Sequence, residues 1–114
     1  MPGRATAALS PLALLGALAL LGGCATPTLP LPPPSALVSA PDSEGWVTVT
    51  GEVLEDAFVF VYNEDMAAGV IVQADATGAF AVQIQAAPYD SLTIWQRLGT
   101  DRGPDLHVQV PPPP

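Results

Sequence analysis

The chain has 114 residues, in which eleven Asp and Glu stand against three arginines and no lysine, for a net charge of −8, and it holds a single cysteine. That balance argues against a nucleic-acid partner, since phosphate binding needs a basic face and counterion release, and against a soluble domain pressed onto anionic lipid by a polybasic patch. One cysteine cannot close an internal disulfide, so stability must come from packing, while the scattered acids keep a small domain soluble.

Arg4 and the amino terminus make a short positive start, an apolar run follows that is densest over residues 12–21, and Gly22-Gly23 precede Cys24. This is the three-part layout of a secretory signal. Its core, bounded by Pro11 and the glycine pair, is far shorter than the roughly 20 residues of a spanning helix. Counted from Ala5 the run just reaches that length, so a permanent membrane span is the competing reading.

Leu21-Gly22-Gly23-Cys24 resembles the bacterial lipobox, in which a leucine and two small residues precede a cysteine. The resemblance implies that residues 1–23 are a cleaved signal peptide and that Cys24 carries a diacylglyceryl group and further acylation, palmitate among the chains. Two or more chains anchor a protein stably, at about 0.8 kcal/mol per buried methylene. Cys24 is then a membrane anchor rather than a nucleophile or a metal ligand. Ala25 follows where an Asp would tend to retain such proteins in the inner membrane, so the same resemblance favours the outer membrane of a two-membrane envelope.

Residues 24–45 read as a lipidated, proline-rich tether. Pro27, Pro30 and Pro32-Pro33-Pro34 dominate it and no apolar period is present. Proline fixes φ and removes donors, which predicts a semi-rigid polyproline spacer over residues 25–41, able to hold a domain up to roughly 50 Å from the lipid at about 3.1 Å per residue. Residues 111–114 close the chain as a second proline tail.

From Trp46 the period becomes two. Val47, Val49 and Val53 alternate with Thr48, Thr50 and Glu52; Phe80, Val82 and Ile84 with Ala81, Gln83 and Gln85; Leu106, Val108 and Val110 with His107 and Gln109. These are half-buried strands by pattern and β-branched content. Residues 57–62, 70–73 and 92–96 add three more. Turn chemistry separates them at residues 63–65, 75–78, 88–90 and 99–104, with Asp75-Ala76-Thr77-Gly78 read as a hairpin turn in which Gly78 takes a positive φ. No helical period is convincing, although residues 54–57 could make one turn. The predicted fold class is all-β, a small sandwich of about six or seven strands over residues 46–110, a unit that buries only about 60% of the surface its unfolded chain exposes.

Gly51 followed by Ala57, Val59 and Val61, then Asp75-Ala76-Thr77-Gly78-Ala79-Phe80, then Asp90-Ser91-Leu92-Thr93-Ile94, resembles the bacterial Ig-like modules of many surface proteins. The carboxypeptidase regulatory-like domain is the nearest alternative. Either resemblance implies a β-sandwich without intrinsic catalysis.

The residues carry no evident chemistry. His107 is the only histidine and reads as a surface strand residue, with no serine in a nucleophile-elbow context. Glu55-Asp56 and Glu64-Asp65 flank one strand, whose ends lie roughly 20 Å apart, so they do not converge on an ion through it. Asp75 to Gly78 lacks the alternating oxygens of a calcium loop. No phosphate loop, paired metal-ligand cysteines or redox motif is present, so no enzyme, cofactor or metal site is expected.

The strand at residues 57–62 leaves two readings open. Phe58, Phe60 and Tyr62 share one side, so they are either core with the valines outside, or an outer row that a loop or partner covers. The Ig-like resemblance implies Ala57, Val59 and Val61 inside, with Thr48 and Thr50 flanking the rings on one side, Ala81 and Gln83 on the other, and Trp95 on the opposite sheet. Exposed rings beside hydrogen-bonding side chains would form a platform for a glycan or a protein. The expected function is a lipid-anchored, non-enzymatic envelope module with a structural or protein-interaction role, and the alternative is an envelope glycan-binding lipoprotein using Phe58, Phe60 and Tyr62.

Overall fold

The structure, a computed structural model, describes residues 30–114. Within them lie eight strands and no helix: β1 (Ser35–Val38), β2 (Trp46–Glu52), β3 (Phe58–Asn63), β4 (Ala68–Gln73), β5 (Ala79–Gln85), β6 (Ser91–Leu98), β7 (Asp101–Arg102) and β8 (Leu106–Gln109). They form two antiparallel sheets. One has the order β1-β2-β5; in the other β4-β3-β6 is extended by β7 and β8, which both pair with the far side of β6.

Period-two alternation decides what each sheet buries. Val47 and Val49 of β2 and Phe80 and Ile84 of β5 meet Val59 and Val61 of β3 and Leu92 and Ile94 of β6 in one core, with Val82 packed at its margin. Each buried Val, Leu or Ile contributes about 1.5–3 kcal/mol relative to exposure, and this shared cluster holds the two sheets together.

Eight strands replace the expected six or seven. β7 is a two-residue strand inside the segment read as a turn at residues 99–104. β1 lies inside the segment read as a spacer, which is a correction to the tether. The proline run stops at Pro34, so backbone donors resume at Ser35, and residues 35–38 pair with residues 49–52 of β2. Ala36 and Val38 turn toward the core and Leu37 outward. Ser39 prolongs the pairing, its N–H donating to the Thr48 carbonyl at 3.0 Å and its Oγ accepting from the Thr48 N–H at 2.9 Å.

The prolines themselves are tied down. Gln96 on β6 is fully buried; its Nε2 donates to the Pro32 carbonyl at 2.7 Å and its Oε1 accepts from the Leu54 N–H at 3.0 Å. A buried amide needs such partners on both ends, and Gln96 finds one of them in the proline run.

The turn at residues 75–78 forms, closed by the Gly78 N–H on the Asp75 carbonyl at 3.0 Å, but it joins β4 of one sheet to β5 of the other and is no hairpin. Gly78 has φ +87°, and a Cβ there would run into the Val53 carbonyl oxygen, so both conformation and space require glycine. Residues 54–57 make a single turn, the Ala57 N–H donating to Leu54 at 3.2 Å, and carry the chain from β2 across to β3. Asn63, fully buried at the end of β3, bridges the sheets: Nδ2 donates to the Gln85 carbonyl and the Asp90 carboxylate, while Oδ1 accepts from the Asp65 and Met66 N–H groups.

Candidate functional site

With Val59 and Val61 in the core, alternation sends Phe58, Phe60 and Tyr62 to the outer face of their sheet. Phe58 and Tyr62 are 38% and 37% exposed and Phe60 is half-buried. The rings are therefore the outer row. Their neighbours differ from those expected. In register, Phe58, Phe60 and Tyr62 lie opposite Arg97, Trp95 and Thr93 of β6 on one side and Gln73, Ile71 and Gly69 of β4 on the other. Thr48, Thr50, Ala81 and Gln83 belong to the other sheet, and Trp95, placed there by the resemblance, stands directly beside Phe60. The reason is the crossing at residues 54–57: it moves the chain to the second layer after β2, so β2 pairs with β5 and leaves β3 to β4 and β6.

The side chains on this face stack. Phe60 and Trp95 are parallel within 3°, with centroids 5.1 Å apart. The Arg102 guanidinium lies 4.2 Å from the Trp95 ring centre. Since β3 and β7 flank β6 on opposite sides, Phe60 and Arg102 cover opposite faces of the indole. Arg97 lies over Phe60 at 5.2 Å and Phe58 at 5.8 Å. Aromatic pairs of this kind contribute about 0.5–1.5 kcal/mol and exposed cation–π contacts about 0.5–1 kcal/mol, enough to order the face without burying it.

The charges of the face differ from those of the rest of the chain. Arg97 and Arg102 are the only Lys or Arg after Arg4, so all fixed positive charge of the described residues is gathered here, while all eleven acids also lie beyond residue 29. Arg102 pairs with Asp105, Nη2 to Oδ1 at 2.8 Å; Arg97 makes no ion pair among the described residues. Ile71, 62% exposed, continues the face beyond Phe60.

At the other end of the face, the Thr93 hydroxyl donates to Glu64 Oε1 at 2.7 Å and lies 3.2 Å from His107 Nδ1. Its one proton goes to a carboxylate that can only accept, which leaves Nδ1 as the donor in the second contact. The order is the reverse of a nucleophile activated by imidazole, and Thr93 is buried while His107 is exposed. Asp75, on the turn between the sheets, accepts from the Thr77 hydroxyl at 2.7 Å and from the Thr77 and Ala79 N–H groups at 2.8 and 3.0 Å. These donors hold its carboxyl below the usual aspartate range, the Thr77 hydroxyl foremost. Among the described residues no three His, Cys, Asp or Glu side chains converge as a metal site would require. An open cleft of about 410 Å³ at one end of the domain is lined by Pro41, Asp42, Glu44, Met66, Gln85 and Pro88 among others, with no aromatic ring or cation in its lining.

Cys24 lies outside the described residues. Phe58, Phe60 and Tyr62 are brought together as one row, and the sequence reading missed Trp95, Arg97 and Arg102 as parts of the same surface. A signal existed: Trp95 and Arg97 share the outward parity of β6, and the domain's only two cations fall within one short stretch. Compared with known proteins, the chain matches no family model, no curated protein and no solved structure.

Proposed function

We propose that this chain is a lipid-anchored, non-enzymatic module of the cell envelope that docks a protein partner on the outer face of the β4-β3-β6-β7 sheet. The observation that carries the reading is the stacked Phe60, Trp95 and Arg102 flanked by Phe58, Tyr62 and Ile71, a contiguous, partly exposed apolar surface that a small domain would otherwise bury. Aromatic side chains with arginine are the residues enriched in protein interfaces. The anchor rests on Cys24 after Leu21-Gly22-Gly23, and the outer membrane is the favoured location. Two sheets around one core agree with an Ig-like or carboxypeptidase regulatory-like sandwich, and either would serve as a scaffold without catalysis.

With Pro32 held by Gln96, the spacer between Cys24 and the domain shrinks to residues 25–31, a reach of at most about 25 Å at roughly 3.5 Å per extended residue. The domain then works close to the lipid surface. Glycan binding is the second reading, favoured by the ring content of the face, but a sugar needs a free ring face and both faces of Trp95 are taken.

The test is site-specific photo-crosslinking in intact cells. A photoreactive residue at Ile71 should yield a discrete protein adduct and one at Gln83, on the outer face of the other sheet, should not. Equal adducts from both positions, or retention of the domain on envelope glycans that is lost with Phe60→Ser, would overturn the protein reading. A Cys24→Ser chain should lose detergent partitioning and keep its signal; mature protein with an unmodified Cys24 would overturn the anchor.

A further inference from the structure

The chemistry of the partner can be taken one step further than its being a protein. Arg97 and Arg102 are the whole fixed positive charge of an otherwise acidic domain, and both lie on one face. Arg102 is neutralised by Asp105, and Glu64 is held by Thr93, while Arg97 has no ion pair among the described residues. Its guanidinium is nonetheless held in place, over Phe60 at 5.2 Å and Phe58 at 5.8 Å. A cation resting on ring faces keeps its in-plane donors for a ligand, and that planar fork matches a carboxylate. Around it, Phe58, Tyr62 and Ile71 expose apolar surface.

Resting on the docking reading above, we infer that Arg97 is the anion-recognition residue of this face, and that the protein partner presents to it an Asp or Glu beside a large apolar side chain. A single carboxylate is attracted by Arg97 over a few ångströms. A uniformly anionic polymer would also meet the field of a chain of net charge −8 within a Debye length of about 10 Å at 0.1 M salt, and it is disfavoured. The same repulsion disfavours a second copy of this chain as occupant.

The experiment uses the mature chain carrying Trp46→Phe, so that Trp95 is the only indole and its fluorescence reports on the stack. The probe is a capped peptide of leucine and serine with a single glutamate beside a leucine, compared with the same peptide carrying glutamine or lysine at that position, and with an oligogalacturonate. The glutamate peptide should bind at least about tenfold more tightly than the others and weaken with salt. Arg97→Gln should remove that margin of about tenfold while the domain keeps a cooperative thermal transition, and Arg97→Lys, which keeps the charge but not the fork, should retain about a third of the affinity. If glutamine and glutamate peptides bind alike, and both are lost with Phe58→Ser plus Tyr62→Ser, the face docks protein but the carboxylate assignment is overturned. Binding of oligogalacturonate as tight as that of the glutamate peptide, a homodimer abolished by Arg97→Gln, or no response to any probe would each overturn the inference, and the first would overturn the protein reading with it.

Discussion

Gln96→Leu isolates the contact that ties the proline run to the domain. Leucine keeps most of the volume and removes both hydrogen bonds, those to the Pro32 carbonyl and from the Leu54 N–H. Pro32 is exposed, so water can reach its freed carbonyl at a cost of about 0.5–1 kcal/mol, whereas the half-buried Leu54 N–H is harder to solvate and costs about 1–2 kcal/mol. The sum of about 1.5–3 kcal/mol is a large part of the stability of a domain of this size and lowers Tm by about 6–24 °C. Urea unfolding followed by tryptophan fluorescence measures it. The same substitution in a chain that begins at Ser35, where the Pro32 bond no longer exists, should cost only the Leu54 share of about 1–2 kcal/mol, and the difference between the two is the coupling to the proline run. A loss below about 0.5 kcal/mol in the full chain, or the same loss in both backgrounds, would refute the latch.

Ile84→Asp should abolish the cooperative transition, because the side chain is 2% exposed in the core and an unpaired carboxylate there costs several kcal/mol, while Gln83→Asp one residue away should shift stability by no more than about 0.5 kcal/mol; equal tolerance would mean the register of β5 is wrong. Phe58→Ser with Tyr62→Ser should leave a folded monomer that has lost about 1–2 kcal/mol, since both rings are more than a third exposed, and collapse of the thermal transition would show that they are core. Asp75 has a folded-state pKa below its unfolded value, so the stability it adds is present above the unfolded value of about 3.9 and is lost as pH falls through the lower folded one. The stability gap between the wild type and Asp75→Ala should therefore be constant from neutral pH down to about pH 5 and close below about pH 4, and a gap that widens in acid would contradict the hydrogen bonds from Thr77 and Ala79.

What the sequence by itself determined is what depends on neighbours along the chain. Alternation of Val59 and Val61 with Phe58, Phe60 and Tyr62 defines two faces whatever the strand pairs with, and Phe80 and Ile84 against Gln83 and Gln85 do the same on β5. Asp75-Ala76-Thr77-Gly78 specifies its own turn through donors within four residues. Which face is buried, and beside what, was decided only when the sheets packed. Trp95 reaches Phe60 because the chain changes layers at residues 54–57, and no local pattern reports a change of layer. The recruitment of residues 35–38 into β1 is of the same kind, for it depends on an open edge at β2 and on Gln96, which is 64 residues from the Pro32 it holds. Side-chain period is a property of the backbone pleat and is written locally, whereas strand neighbours follow from the competition to bury one core, to which the whole chain contributes.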